Sequence, residues 1–212
     1  MTELIEKIRS MGVIPVIKLD RAEDALPLAQ ALEKGGLCCA EVTFRTDAAE
    51  EAIRLIHTAH PDFLLAAGTV LTTEQADRAI AAGAAFIVSP GFNPTVVKHC
   101  IDKGYPIIPG VCTPSEVEAA MSLGLTYLKF FPAEAAGGVK MIKAMAAPYT
   151  AVRFMPTGGI SPKNIAYYLG CKAVFACGGS WMVPADKISS GNFDEIERLT
   201  REAAELLKEI RK

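Results

Sequence analysis

The sequence predicts an α/β protein built as one (β/α)8 barrel, the TIM-barrel fold, with an extra helix at its N-terminus. Eight short apolar runs of strand type recur with starts about 20 to 26 residues apart, which fits one strand, one loop and one helix. Several runs are apolar at nearly every position, as in parallel strands buried on both faces. Glycine recurs between a helical segment and the next run. This repetition favours a barrel over an open doubly wound sheet, which is the main alternative.

The predicted elements follow one another without a linker or a low-complexity segment. The amphipathic stretch Glu3–Ser10 is expected to form the extra helix, and the charged stretch Phe193–Arg211 is expected to form the last one. The predicted strands are Val13–Ile17, Cys38–Thr43, Leu64–Ala67, Ala85–Val88, Pro106–Ile108, Tyr127–Phe131, Val152–Met155 and Ala173–Cys177. Together these elements predict a single barrel domain over residues 1–212.

Local signals mark both ends of the predicted helices. Glycine can adopt the left-handed conformation that ends a helix. Glycines placed to do so are Gly36, Gly83, Gly104, Gly124 and Gly170. Helix starts are predicted at capping boxes and where an N-cap residue precedes a proline. These starts are Thr72 with Gln75, Thr113 with Glu116, Asn93 with Pro94, and Ser161 with Pro162.

The composition limits the classes of function. The chain has 212 residues, 50% of them hydrophobic, which is enough for one sizeable core but short for two domains. The formal net charge is −2 and no basic block is present, so nucleic acid is not an expected partner. No apolar run reaches about 18 residues, so no membrane partner is expected either.

The N-terminus and the cysteines bear on localisation. The first residues are charged and lack the apolar region of a signal peptide. The six cysteines include no Cys-x-x-Cys pair, and most of them lie in or beside apolar runs, so reduced, buried thiols are expected. Without a secretion signal, this pattern favours a cytoplasmic protein.

Two charged residues occur in and just after the second predicted strand, whose C-terminal end is where a barrel places its chemistry. Alternation along the strand puts Glu41, Thr43 and Arg45 on one face. An isolated buried charge is costly, so Glu41 and Arg45 are expected either to act on a ligand or to form a structural ion pair at the barrel mouth. The sequence leaves both interpretations open.

A lysine lies in the middle of the sixth predicted strand. Lys129 is flanked by Leu128, Phe130 and Phe131, and lysine is rarely fully buried. Burial disfavours the charged form, and the free amine is the nucleophile that attacks a carbonyl carbon. The alternative is a structural lysine that is paired with Glu41.

Glycine-rich turns are predicted after the last two strands. One turn contains Gly158 and Gly159, and the other contains Gly178, Gly179 and Ser180. Loops after strands 7 and 8 of a barrel commonly bind phosphate, because glycines let backbone N–H groups approach the anion. Tight packing is the alternative explanation for each pair of glycines.

Two further strand ends carry candidate residues. Thr69 follows the third strand and Pro90 follows the fourth. Thr69 can donate a hydrogen bond to a ligand carboxylate, although a turn-forming role explains it equally well. The three histidines are not accompanied by acidic residues in a zinc pattern, so neither a metal nor another cofactor is expected.

A buried amine, a carboxylate, a guanidinium and a phosphate-type pocket suit Schiff-base chemistry on a phosphorylated 2-keto acid. Lys129 is expected to attack the keto carbon and lose water, and the resulting iminium is an electron sink that lets a neighbouring C–C bond break. Glu41 is expected to move protons, and Arg45 to hold the substrate carboxylate. The glycine-rich turns with Ser180 are expected to anchor the distal phosphate.

Six stretches of the chain resemble those of a known family. They are Glu41–Thr46, Ala67–Val70, Ser89–Gly91, Lys129–Glu134, Pro156–Ser161 and Gly178–Trp181. In this order they are similar to the 2-keto-3-deoxy-6-phosphogluconate (KDPG) aldolases, a group that includes enzymes acting on 4-hydroxy-2-oxoglutarate (KHG). The resemblance covers nearly the whole chain and is most specific around Lys129 and Thr157.

The resemblance implies a class I aldolase that needs no metal, is typically homotrimeric and serves the Entner–Doudoroff pathway of carbohydrate metabolism. It implies that Lys129 forms the Schiff base with pyruvate and that Glu41 is the general acid and base. Arg45 and Thr69 are implied to bind the pyruvate carboxylate. The remaining substrate-binding residues that it implies are Pro90, Thr157, Gly158, Gly159, Gly178, Gly179 and Ser180. Thr157 is expected near the aldehyde portion, where a related galactonate-specific group has an apolar residue, so a gluconate-type substrate is favoured.

Three alternatives stay open on the sequence. The nearest is cleavage of unphosphorylated KHG by the same chemistry. A phosphosugar isomerase or epimerase barrel would share the phosphate loops and leave Lys129 without a covalent role. A catalytically silent barrel is disfavoured because Glu41, Arg45 and Lys129 are all present.

Overall fold

The structure is a computed structural model that describes residues 2–211, in which helices and strands alternate along most of the chain. The strands are β1 (Val13–Ile17), β2 (Cys39–Thr43), β3 (Leu64–Gly68), β4 (Phe86–Val88), β5 (Ile107–Ile108), β6 (Gly110–Val111), β7 (Tyr127–Phe130), β8 (Arg153–Pro156) and β9 (Cys177–Gly179). The helices are α1 (Thr2–Met11), α2 (Ala25–Gly35), α3 (Ala48–Ala59), α4 (Thr73–Ala81), α5 (Pro94–Asp102), α6 (Pro114–Ser122), α7 (Gly138–Ala146), α8 (Ile165–Leu169), α9 (Ala185–Ser189) and α10 (Phe193–Ile210). Seven of the eight predicted strands and both terminal helices lie within one residue of their predicted bounds.

The strands pair in parallel and form two sheets. One sheet has six strands in the order β5-β4-β3-β2-β1-β9, and the other has three in the order β6-β7-β8. Isolated bridges from Phe154 to Val174 and from Thr157 to Gly178 connect the β8 side with the β9 side. The α/β class with a curled parallel sheet is thus confirmed, but the described strands number nine in two sheets, where the sequence predicted eight in one barrel.

A proline directly after the fifth predicted strand separates β5 from the additional short strand β6. Pro109 lies between β5 and β6 and cannot donate a backbone hydrogen bond, so the ladder is interrupted there. Its carbonyl still accepts the backbone N–H of Lys129 at 2.9 Å. The interruption therefore separates the two sheets while β7 stays attached to this segment.

The last strand lies further along the chain than predicted. It was expected at Ala173–Cys177 but is β9, which pairs with β1 from Val13 to Pro15. The preceding segment turns against β8 instead, since Phe154 N donates to Ala173 O at 2.7 Å. Consequently Gly178 and Gly179 are strand residues, and their prediction as turn residues is wrong.

Most predicted helix ends are confirmed. Thr113 and Glu116 form a complete capping box at α6, and Asn93 caps α5 ahead of its first proline. Thr72 accepts the Gln75 N–H at 3.1 Å, although the Gln75 side chain accepts from Leu71 rather than from Thr72. The first four of the predicted C-terminal glycines have φ between 72° and 107°.

Two predicted helix ends are wrong for local reasons. Gly170 ends α8 with φ −72°, which is right-handed, so no left-handed cap forms. Ser161 caps no helix, because α8 begins only after Asn164. The Asn164 side chain accepts the Ser161 N–H at 2.8 Å and holds the chain in a turn instead.

The buried apolar residues form one continuous core between the sheets and the helices. Helix α10 packs on α2, where the missing side chain of Gly35 leaves room for Thr200: a Cβ at Gly35 would lie 2.5 Å from Thr200 Cβ. Among residues 2–211, no helix combines the length and the apolar character needed to cross a membrane.

Candidate active site

A buried ion pair joins two strands that lie far apart in the sequence. Lys129 on β7 is 4% exposed and Glu41 on β2 is 1% exposed. The Lys129 Nζ and Glu41 Oε1 atoms are 3.2 Å apart. The second carboxylate oxygen, Glu41 Oε2, is buried and has no hydrogen-bond partner among the described residues. Because buried polar atoms are nearly always satisfied, this oxygen marks a place for a polar group of a ligand.

Glu41 takes its position because Gly68 has no side chain. Gly68 ends β3, and a Cβ there would lie 2.2 Å from Glu41 Oε1 and 2.6 Å from Glu41 Cγ. The carboxylate therefore lies directly against the backbone of the neighbouring strand. This role of Gly68 was not predicted from the sequence.

An aromatic ring lies close to the amine of Lys129. The Lys129 Nζ atom is 5.4 Å from the centroid of the Phe131 ring, within the range of a cation–π contact. Leu128 and Phe130 on the same strand are fully buried. A largely desolvated amine next to a single carboxylate can act as a nucleophile and exchange protons with that carboxylate.

A cavity of about 380 Å³ opens at the C-terminal ends of β1, β8 and β9. Phe131, whose ring lies near Lys129, is part of its wall, so the cavity adjoins the buried pair. The predicted site residues in its lining are Arg45, Thr157, Gly158, Gly159, Gly178, Gly179 and Ser180. The structure thus brings together in one wall residues from three separate parts of the chain.

The loop after β8 presents free backbone amides at this cavity. Gly158 and Gly159 have φ of 102° and 79°, a left-handed conformation that favours glycine. The N–H groups of residues 159 and 160 donate to no other group that the structure describes. Asn164 holds the loop, since its Nδ2 donates to Gly159 O at 2.9 Å. Such a row of amides suits an anionic ligand.

Thr157 contributes a second unpaired polar atom. Its Oγ1 is buried and has no hydrogen-bond partner among residues 2–211. The opposite residue is Gly178, where a Cβ would lie 2.4 Å from this oxygen. The hydroxyl therefore makes no hydrogen bond that stabilises the fold, as expected of a group that contacts a ligand.

Arg45 and Thr69 come together, whereas Arg45 and Glu41 do not. Arg45 lies in the turn after β2, is exposed, and donates from Nε to Thr69 Oγ1 at 3.3 Å. The alternative of a Glu41–Arg45 ion pair is therefore wrong. Thr69 has φ 56°, the only positive value among the described residues other than glycine. Strain of this kind costs about 1–3 kcal/mol and is concentrated at functional sites.

Pro90 is placed outside the cavity lining. Its carbonyl packs closely on Gly110, where a Cβ would lie 2.2 Å from Pro90 O. Gly110 is the register partner of Lys129 in the β6–β7 pair. Pro90 is thus close to the lysine through the backbone rather than through the cavity.

Of the cavity residues that were not predicted from the sequence, Phe131 and Lys18 bear most directly on the chemistry. Phe131 was regarded only as an apolar neighbour of Lys129, and Lys18 was not considered. Lys18 is the first polar residue after β1, and its Nζ lies 2.7 Å from Asp20 Oδ1. A charged residue directly after a buried strand is the sequence signal by which it could have been found.

The histidines and the acidic residues do not converge. His60 pairs with Glu33 at 2.9 Å, and His99 pairs with Asp77 at 2.8 Å. Across residues 2–211, no group of three or more His, Cys, Asp or Glu side chains is placed to hold a metal ion.

This combination of a buried lysine, an adjacent carboxylate and an anion-type cavity in an α/β fold is that of a Schiff-base lyase. The model of the family described as KDPG and KHG aldolase matches residues 4–199, and the chain belongs to this family. It is 53% identical to the 2-dehydro-3-deoxy-phosphogluconate aldolase of Haemophilus influenzae, over 97% of each chain. It is 47% identical to the KHG/KDPG aldolase of Escherichia coli, over 94% of each chain.

A similar solved structure is the KDPG aldolase from Legionella pneumophila with pyruvate captured at low pH as a covalent carbinolamine intermediate. The TM-score is 0.90 and the identity is 42%, with 94% of this chain and 97% of that chain covered. A covalent carbinolamine with pyruvate in that protein requires an amine nucleophile, which agrees in kind with a lysine site here.

Proposed function

We propose that this protein is a class I aldolase that cleaves 2-keto-3-deoxy-6-phosphogluconate to pyruvate and glyceraldehyde 3-phosphate. The observation that carries the proposal is the buried Lys129–Glu41 pair beside a cavity with free amides. The names of the relatives and the pyruvate carbinolamine of the Legionella protein support the same chemistry. No metal or other cofactor takes part in the proposed reaction.

The chemistry begins at the amine of Lys129. The amine attacks the C2 keto carbon to form a carbinolamine, which loses water to give an iminium. The C3–C4 bond then breaks as the C4 hydroxyl loses its proton, so glyceraldehyde 3-phosphate leaves and the bonding electrons form an enamine. Protonation of the enamine at C3 and hydrolysis of the imine release pyruvate and restore the lysine.

Glu41 moves the protons in these steps. One oxygen lies 3.2 Å from Lys129 Nζ, where it can accept or return the protons of the amine and the carbinolamine. The other oxygen has no protein partner and is available to a water molecule or to the substrate hydroxyl. A carboxylate with this arrangement can serve both halves of the reaction.

The two anionic ends of the substrate bind at different places. Arg45 and Thr69 bind the carboxylate, supported by their mutual contact and by the fork of donors on the guanidinium. The phosphate is bound by Gly158, Gly159, Gly178, Gly179 and Ser180. Thr157 contacts the substrate near the aldehyde portion, which favours the gluconate-type substrate. Pro90 acts near the keto carbon from outside the cavity wall, since its carbonyl packs on the register partner of Lys129.

The proposal includes the architecture and the assembly. A single domain over residues 1–212 is supported by the continuous core and by the extent of the family match. Closure into one eight-stranded barrel, with β5 and β6 as a single strand interrupted at Pro109, is supported by the bridges between the β8 and β9 sides. A homotrimer, a cytoplasmic location and a place in the Entner–Doudoroff pathway follow from the family resemblance.

The decisive experiment is reductive trapping. The protein is incubated with pyruvate and borohydride, and the adduct is mapped by mass spectrometry. A reduced pyruvyl group on Lys129 is expected, and a Lys129→Met variant should carry none. The absence of an adduct on folded protein in excess pyruvate would exclude the Schiff-base mechanism and favour an isomerase or a silent scaffold.

Cleavage of KHG is a second candidate activity of the same site. It is favoured by the family description, which covers both substrates, and by the E. coli relative that is named for both. Comparison of kcat/KM for KDPG and KHG separates the two. A higher value for KHG would make the unphosphorylated substrate the principal one.

A further inference from the structure

The cavity beside the Lys129–Glu41 pair contains only positive side-chain charge. Of the described residues that line it, Lys18 and Arg45 are the charged ones, and neither Asp nor Glu is among them. The chain as a whole has a formal net charge of −2, so this local excess is not a consequence of composition. Such a cavity attracts anions and raises their local concentration.

The strand register brings Lys18 to the part of the cavity formed by the glycines. In the β1–β9 pair, Pro15 is the register partner of Gly179. Lys18 follows β1 directly, on the edge of the sheet where Ser180 follows β9. Both side chains therefore belong to the same end of neighbouring strands, and both line the cavity.

The ionic contact that Lys18 makes in the structure is weak enough to be exchanged. Its Nζ lies 2.7 Å from Asp20 Oδ1, but the two side chains are 47% and 69% exposed. Ion pairs between side chains this exposed contribute little stability, because water screens the charges. A phosphate group with a charge of about −2 can replace a single carboxylate as the partner of the flexible ammonium.

Arg45 is not the cation for the far end of the substrate. Its contact with Thr69 holds it at the β2–β3 side of the cavity, where the proposed function assigns it to the carboxylate. The glycine amides and Ser180 offer dipoles to the phosphate but no full charge. Lys18 is the remaining cation in the lining.

We propose that Lys18 is a specificity-determining residue, whose ammonium binds the distal phosphate of the substrate and sets the preference for phosphorylated over unphosphorylated 2-keto acids. This inference rests on the proposed aldolase function. It adds a charged contact to a subsite otherwise made of backbone amides and a hydroxyl.

The test compares two reactions of the same active site. Cleavage of KDPG uses the phosphate subsite, whereas exchange of the pyruvate methyl protons in deuterated water uses only the Schiff-base end. In Lys18→Met, kcat/KM for KDPG is expected to fall about tenfold, equivalent to about 1.4 kcal/mol. The pyruvate exchange rate should stay within about twofold, since no phosphate takes part in it.

Matched variants separate the phosphate contact from other effects of charge. Lys18→Arg should retain most of the activity on KDPG, because the positive charge is kept. Lys7→Met removes another exposed and paired lysine, one that does not line the cavity, and it should leave both reactions unchanged. In the double variant Lys18→Met with Asp20→Asn, no unpaired Asp20 is left to repel the phosphate. The loss of KDPG cleavage should persist there, because the ammonium of Lys18 is still missing.

Three results would overturn the inference. The first is an unchanged kcat/KM for KDPG in Lys18→Met, and the second is an equal loss in both reactions, which would place Lys18 at the reacting end. The third is recovery of KDPG cleavage when Asp20→Asn is added, which would show that Lys18 acts only by neutralising the charge of Asp20. The absence of pyruvate exchange in the unaltered protein would instead refute the aldolase function itself.

Discussion

Replacement of Gly68 by alanine is expected to disable Glu41 without changing it chemically. The added Cβ would lie 2.2 Å from Glu41 Oε1 and 2.6 Å from its Cγ. Carbon and oxygen atoms do not approach this closely, and Glu41 is only 1% exposed, so it cannot simply swing into solvent. The carboxylate must rotate and lose its 3.2 Å contact with Lys129 Nζ.

The size of the effect follows from the role of that carboxylate. Positioned acid–base groups contribute about 10² to 10⁴ in rate. In Gly68→Ala the carboxylate is displaced but still present, so the loss of rate should correspond to the lower end of this range. A fall in kcat of about a hundredfold is therefore expected, equivalent to about 2.7 kcal/mol in activation free energy. Overpacking at a buried position should also lower the free energy of unfolding by about 1–3 kcal/mol.

The assay is the exchange of pyruvate methyl protons in deuterated water, followed by NMR, with thermal unfolding as the measure of stability. Gly91→Ala is the matched control, because a Cβ at Gly91 would meet no atom within 4 Å. In a Glu41→Ala background, adding Gly68→Ala should cost nothing more, since its target is gone. Retention of more than half of the exchange rate in Gly68→Ala, or a full further loss in the double variant, would refute this reasoning.

Three further outcomes are expected. Lys129→Met should abolish the pyruvate adduct and lower the free energy of unfolding by about 3–5 kcal/mol, because Glu41 is left buried and unpaired. Urea titration should show partial recovery of stability when Glu41→Gln is added, and an unchanged free energy of unfolding in Lys129→Met would contradict the buried pair. Thr157→Val should leave the unfolding free energy within about 1 kcal/mol, because the hydroxyl has no protein partner, while steady-state kcat/KM for KDPG falls about tenfold; unchanged cleavage would remove Thr157 from the site. Burial raises the pKa of the Cys100 thiol to about 11, whereas Cys38 is exposed. Alkylation of the native protein at mildly alkaline pH, followed by peptide mapping, should therefore modify Cys38 first, and earlier labelling of Cys100 would contradict its burial.

Local features of the sequence were sufficient for most element boundaries. The capping box of Thr113 and Glu116 and the proline after Asn93 act within one helical turn, so they operate regardless of what packs around them. The predictions for Ser161 and Gly170 failed at the two ends of α8, which has only five residues. The side chain of Asn164 took the Ser161 N–H, and the helix after it was too short for the predicted ends to apply.

The position of the last strand could not be obtained from apolar composition. The run Ala173–Cys177 is buried as predicted, but burial arises there from contact with β8 as well as from pairing with β1. Gly178 and Gly179 resemble turn residues in a sequence. They lie in a strand, and they are glycines there because Thr157 and Trp181 fill the space that side chains would need.

The sequence by itself determined that a lysine and a glutamate would lie inside a core of alternating strands and helices, and therefore that they required a partner or a function. The chemical class was indicated by the resemblance of six stretches to the KDPG aldolases, because the buried lysine alone left a structural pairing with Glu41 open. Only the tertiary structure decided which groups meet. The Lys129–Glu41 contact spans 88 residues, the Arg45–Thr69 contact spans 24, and Lys18 reaches the glycine-lined cavity through the β1–β9 register. Such pairings depend on strand register and sheet curvature, which are set by the packing of the whole core rather than by any local pattern.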